Sequence, residues 1–142
     1  MRFWDSSAVV PLLLRQPETL RIRSLFEEDP DMVVWWGTTV ECTSAVARLR
    51  REGVLDSNAE AQALHRLEAL RRHWHEMLPG DGLRAQALRA LRIHPLRAAD
   101  ALQLAAGLDW SGTPASGGFV TFDERLAEAA RREGFTVAAR AP

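Results

Sequence analysis

The chain has 142 residues, the length of one domain spanning 1–142, and its formal net charge of −1 gives no global basic signature for nucleic acid, so any such attraction must be local. At 46% hydrophobic and 26% charged residues it has a globular rather than a disordered profile. One cysteine, Cys42, excludes an intrachain disulfide framework and a multi-cysteine zinc site and fits a reducing cytoplasm; no run approaches the ~20 apolar residues of a membrane span, and no signal-peptide core is visible.

Met1 to Asp5 reads as a very short strand ending in an acid. Ser6-Ser7 can cap a following helix whose apolar face uses Val9, Val10 and Leu13. Gln16-Pro17-Glu18 breaks that helix, Thr19 to Glu28 starts another, and Asp29-Pro30-Asp31 is a turn. Met32 to Trp36 is a continuous apolar run, the pattern of a strand buried on both faces. Gly37-Thr38-Thr39 opens a helix with Cys42, Ala45, Val46 and Leu49 as its inward stripe, stopping at Gly53.

Asp56-Ser57-Asn58 caps the next helix, with Ala63, Leu67, Leu70 and Trp74 apolar, and His75 to Leu78 reads as a short strand. Asp81 to Ile93 is helical with Leu88 and Leu91 apolar, and Pro95 ends it. Leu96 to Leu108 is a helix rich in Ala, and Asp109 to Gly118 has loop chemistry. Phe119 to Phe122 reads as a buried strand, Glu124 to Arg132 as a helix ended by Gly134, and Phe135 to Ala138 as a last strand. Short apolar strands alternating with helices imply an α/β fold with a mostly parallel sheet. In such sheets ligands bind beyond the carboxyl ends of the strands.

Three acids fall at that edge. Asp5 ends the first strand, Asp123 follows the strand Phe119 to Phe122, and Glu41 lies near the start of the helix after the second strand. Asp100, early in the Ala-rich helix, joins them only if that helix packs on the same edge. Ionised carboxylates crowded together repel, which raises pKa values unless a cation intervenes. Hard ions such as Mg²⁺ and Mn²⁺ prefer oxygen ligands, and a metal so held can orient a water and stabilise charge on a phosphate under attack. Phosphodiester hydrolysis is the reaction that best suits an all-carboxylate site. Singly, an acid in a helix's first turn is commonly there for capping or dipole reasons.

The segments Asp5-Ser6-Ser7-Ala8 and Trp36 to Ala45 resemble the first two motifs of PIN-domain ribonucleases. Leu96-Arg97-Ala98-Ala99-Asp100-Ala101-Leu102-Gln103-Leu104-Ala105 is similar to the third, and Thr121-Phe122-Asp123-Glu124-Arg125-Leu126 with Gly134-Phe135 to the fourth. Length, motif order and spacing resemble the VapC-type toxins of bacterial toxin–antitoxin pairs. That resemblance implies a PIN-like three-layer α/β/α sandwich with an about five-stranded sheet. It implies an endoribonuclease dependent on Mg²⁺ or Mn²⁺, a homodimer, and a cognate antitoxin that blocks the site. It carries Asp5, Glu41, Asp100 and Asp123 onto the acidic quartet, with Ser7 and Thr121 as supporting hydroxyls.

Arg48, with Arg50 and Arg51, is a candidate RNA contact or a solvated helix end of equal standing. Arg97, three residues before Asp100, is a candidate holder of a carboxylate or phosphate. His73 and His75 do not share one helix face, which disfavours a metal pair. His94 reads as a helix-terminal residue. Trp4, Trp35 and Trp36 read as core, and Trp110, in the predicted loop, as the better partner or RNA contact. A PIN nuclease for RNA maturation without a toxin role, and a non-catalytic binding module, stay open. A receiver-like Mg²⁺-binding regulatory domain would want a late lysine, and this chain has no lysine.

Overall fold

The computed structural model describes residues 1–15 and 19–138. The helix break expected at Gln16-Pro17-Glu18 and the last four residues of the chain lie outside the described residues. Five short strands form one sheet: β1 (Arg2–Trp4), β2 (Met32–Trp35), β3 (His75–Met77), β4 (Gly118–Val120) and β5 (Thr136–Ala138). Their order is β3-β2-β1-β4-β5, and every pairing is parallel. Phe3 stands opposite Val33 on one side and Phe119 on the other.

Period-two alternation sorts the strand side chains into two cores. Phe3, Val33, Trp35 and Phe119 face one way, under α5 (Asp81–Ile93), α6 (Ala98–Ser111) and α7 (Glu124–Glu133). Trp4, Met32, Val34 and Val120 face the other, under α1 (Ser6–Leu13), α3 (Thr38–Arg51) and α4 (Ser57–Arg71), with Ile22 of α2 (Thr19–Glu28) joining them. Helices on both faces of a parallel sheet give the three-layer α/β/α sandwich. They also explain why β2 is apolar at every position rather than at alternate ones.

Several boundaries differ from expectation for local reasons. Helix α6 begins at Ala98 and continues through Asp109 and Trp110 to Ser111, where a loop was expected. Trp110 packs partly buried on the core and over Gly117, so burial holds the final turn despite its polar sequence. Strand β4 covers Gly118–Val120, and beyond it the Thr121 hydroxyl accepts the Asp123 N–H in the turn that leads into α7. Trp36 lies outside β2 and is 52% exposed, so it is not a core residue. On α5 the buried stripe is Leu83, Ala87 and Ala90, while Leu88 and Leu91 face solvent. Asp5, not Ser6 or Ser7, occupies the position capping α1, and its side chain makes no capping bond. Gly134 ends α7 in the left-handed region at φ 110°, where a Cβ would meet the Ala115 carbonyl oxygen at 2.8 Å.

Candidate active site

The chain runs outward from β1 to β3 and then returns to β4 on the far side of β1. The carboxyl ends of β1 and β4 therefore flank the point where the strand order reverses, the usual place for a ligand crevice. Asp5 leaves β1 there and Asp123 follows β4 as the N-cap of α7. Glu41 sits in the first turn of α3, and Asp100 in the first turn of α6. The structure thus joins Asp100 to the other three, which strand-end reasoning alone did not do.

Electrostatics link all four in series. The charge of Glu41 raises the pKa of Asp5, that of Asp100 raises Glu41, and that of Asp123 raises Asp100. Burial is the larger cause in each case. Asp5, only 3% exposed, is the extreme: burial pushes it up to about 7, against hydrogen bonds from Ser7 and Thr121 that pull it down.

Each acid has a partner that fixes its direction. The Ser7 hydroxyl donates to Asp5 Oδ1 at 2.8 Å, accepts the Phe122 N–H at 2.9 Å, and meets Thr121 Oγ1 at 3.2 Å. This small network ties the end of β1, at Ser7, to the end of β4, at Thr121. Asp123 Oδ1 accepts the Leu126 N–H at 2.8 Å and caps α7. Asp100 is held by the Arg97 backbone N–H, the carboxylate half of a capping box. Glu41 Oε2 accepts from Gln103 Nε2 at 2.7 Å, and Ser6 reaches Glu41 Oε1 at 3.5 Å.

Gln103 is the residue the sequence reading passed over. It is 1% exposed and also donates to Thr38 Oγ1 at 3.1 Å, while its own Oε1 is buried without a partner. The signal was a single amide on the apolar side of α6, one turn beyond Asp100. Arg97 and Arg125 both lower the pKa of Asp100 by their charge, and both line a crevice of about 370 Å³ with Asp100, Asp123 and Glu124. Arg48 is on the exposed last turn of α3, and no interaction among the described residues connects it with the acids. Cys42 is buried, and burial with the charges of Glu41 and Asp5 pushes its thiol up, so it is no nucleophile. His94, as expected, ends a helix; it contacts Glu133 at 2.7 Å.

The donor set is all oxygen. Among the described residues no three acidic, imidazole or thiol side chains stand close enough to enclose a metal ion as they are. Each carboxylate is instead turned to a hydrogen-bond donor, and Asp123 and Glu41 each give one oxygen to it. Mg²⁺ usually keeps several waters and takes only one or two carboxylates directly, so the set still fits such an ion.

A parallel α/β/α sandwich with acids gathered at its switch point is the frame of a nuclease-type domain. The chain belongs to the PIN domain family, whose model matches residues 2–132, and the members of that family are nucleases. Among solved structures it is similar to the VapC20 toxin of Mycobacterium tuberculosis, described as cleaving the sarcin–ricin loop, with TM-score 0.69, 17% identity, and 96% of this chain and 97% of that one covered. It is similar to the FitAcB structure from Neisseria gonorrhoeae, with TM-score 0.68, 19% identity and 96% of each chain covered. A toxin–antitoxin complex from Klebsiella pneumoniae matches with TM-score 0.65, 12% identity, and 89% and 91% covered. At these identities the likeness is one of fold. No protein of curated function matches the sequence. No helix among the described residues is long and apolar enough to cross a membrane.

Proposed function

We propose that the chain is a divalent-metal-dependent endoribonuclease acting in the cytoplasm as the toxin of a toxin–antitoxin pair. The observation that carries this reading is the serial coupling of Asp5, Glu41, Asp100 and Asp123 at the switch point. Asp5 keeps an ionisable group buried, and Glu41 one half-buried, at the cost of raised pKa values, where neutral residues would serve the fold better. The family and the toxin folds it resembles support RNA as the substrate and an antitoxin as the partner.

Asp5, Asp100 and Asp123 would hold Mg²⁺ or Mn²⁺, with Glu41 as a further ligand or water-positioning group. When bound, the ion offsets the clustered charge, favours ionisation of a water and stabilises negative charge on the phosphate. Ser7 and Thr121 fix the Asp5 carboxylate so that it does not turn into the core. Gln103 anchors one oxygen of Glu41 and leaves the other toward Ser6, where it can accept a proton from an attacking water. Exposed apolar side chains on the flanks, Trp36, Val40 and Leu78, offer a surface for the homodimer.

The test is cleavage of total RNA with Mg²⁺, with mapping of the new ends, by the parent chain and by Asp5→Asn. Cleavage that disappears in the variant and in EDTA supports the reading. Cleavage that persists in either sinks it. Growth arrest on expression, relieved by a neighbouring reading frame, is the outcome expected of a toxin; RNA cleavage without arrest would leave a maturation nuclease.

A further inference from the structure

Beside the carboxylate crevice lies a second depression of about 260 Å³, lined by His94, Pro95, Glu128, Ala129 and Arg132. Glu124 and Arg125 line both, so the Arg125 side chain stands on the ridge between them. Its placement is unfavourable for the helix that carries it. Arg125 is the second residue of α7, where the positive end of the helix dipole opposes a cation. A surface arginine normally finds an acid three or four residues along its helix. Here the acid three residues on, Glu128, is taken by Arg131 at 3.5 Å and Arg132 at 3.0 Å. Arg125 has no ion pair and no hydrogen bond among the described residues, although Asp100 feels its charge. An exposed guanidinium that shares a crevice with Asp100 and Asp123 and is bound to neither is free to form the bidentate contact with phosphate that its planar fork suits.

We propose that Arg125 binds a phosphate of a single RNA strand and leads that strand from the carboxylate crevice into the second depression, where the adjoining nucleotide rests on Pro95 and Ala129. Arg132, which also lines the second depression, stays paired with Glu128 and leaves the phosphate contact to Arg125. The inference rests on the nuclease reading and deepens it, because it gives the substrate a direction of approach along α7. It also explains why a local cost to the helix is accepted at this position.

The test uses the cleavage-deficient Asp5→Asn chain in Mg²⁺ and a short fluorescein-labelled single-stranded RNA, with affinity read by anisotropy over a range of salt. Adding Arg125→Ala should weaken binding about tenfold and reduce the slope of log K against log salt by about 0.7, the share of one single-strand phosphate. Arg125→Lys should keep the slope and recover part of the affinity. In the cleavage-competent chain, Arg125→Ala should raise KM about tenfold with little change in kcat, and its melting temperature should equal or slightly exceed the parent's. An arginine that only neutralises the acids would instead lower the melting temperature in EDTA and leave the salt slope intact; that result overturns the proposal. Arg84→Ala, at an exposed side chain of α5, is the control, and an equal loss there overturns it as well. If the Asp5→Asn chain binds no RNA at low salt, the nuclease reading falls and this inference with it. If that chain binds RNA and Arg125→Ala binds it equally well, this inference alone falls.

Discussion

Replacing Asp5 by Asn should stabilise the metal-free protein at neutral pH while destroying its activity. Asp5 is buried, and burial pushes its pKa from 3.8 to about 7. The folded state therefore holds the proton more tightly than the unfolded state does. Below about pH 3.8 both states are protonated and nothing is lost. As pH rises from there to about 7 the unfolded chain ionises first, and the folded state becomes progressively less favourable. Above about pH 7 the loss is complete, and the interval corresponds to a ceiling of ~4 kcal/mol at about 1.36 kcal/mol per pH unit. Asn carries no charge at any of these pH values, and its Oδ1 can still accept from Ser7. Urea unfolding in EDTA, followed by the fluorescence of buried Trp4 and Trp35, reads the difference. The variant should match the parent near pH 4 and exceed it by ~1–4 kcal/mol near pH 8. A variant less stable than the parent near pH 8, or a gap of equal size at both pH values, would refute the assignment of burial as the cause.

Asp123 has two roles that substitution can separate. Asp123→Asn should keep the α7 cap and lose RNA cleavage, whereas Asp123→Ala should lose cleavage and also ~1 kcal/mol of stability; equal melting temperatures for the two would show that the cap is unimportant. Gln103→Leu removes the donor that favours ionised Glu41, so the acid limb of the pH–rate profile should move to higher pH, which initial rates across pH would reveal. Gly107→Ala would place a Cβ 3.0 Å from Phe119 and 3.2 Å from Phe135, two rings packed in the core, and should cost ~1–3 kcal/mol in chemical unfolding.

Much of this architecture could be read from the chain because its central strands are buried on both faces. Met32 to Trp35 has no polar position to confuse with a helix, and β2 lies where that run predicts. Reading failed where tertiary packing overrode composition. Asp109, Trp110 and Ser111 have turn chemistry, yet the Trp110 ring seals the core and carries the helix past them. Trp36 failed in the opposite sense: an apolar run names a strand without saying which residue leaves the sheet. The acids divide in the same way. Asp5 and Asp123 were visible as strand-end residues, while Asp100 depended on where a long-range helix packs, which only its motif could signal. Gln103 escaped because its importance lies in a partner far away in the chain, Glu41.

The strand order has a consequence for synthesis. The strand that pairs with β1 on its second side, β4, comes near the end of the chain, and the Thr121 and Phe122 groups that brace Ser7 come with it. A growing chain on the ribosome can complete β1, β2 and β3 and still have Asp5 at an open sheet edge, without Asp123 and without its bracing. The cluster of acids is then completed in one step, when the last quarter of the chain has emerged and β4 pairs beside β1. The order of the strands is thus also a delay, during which the acids of the crevice stay apart while the chain is being made.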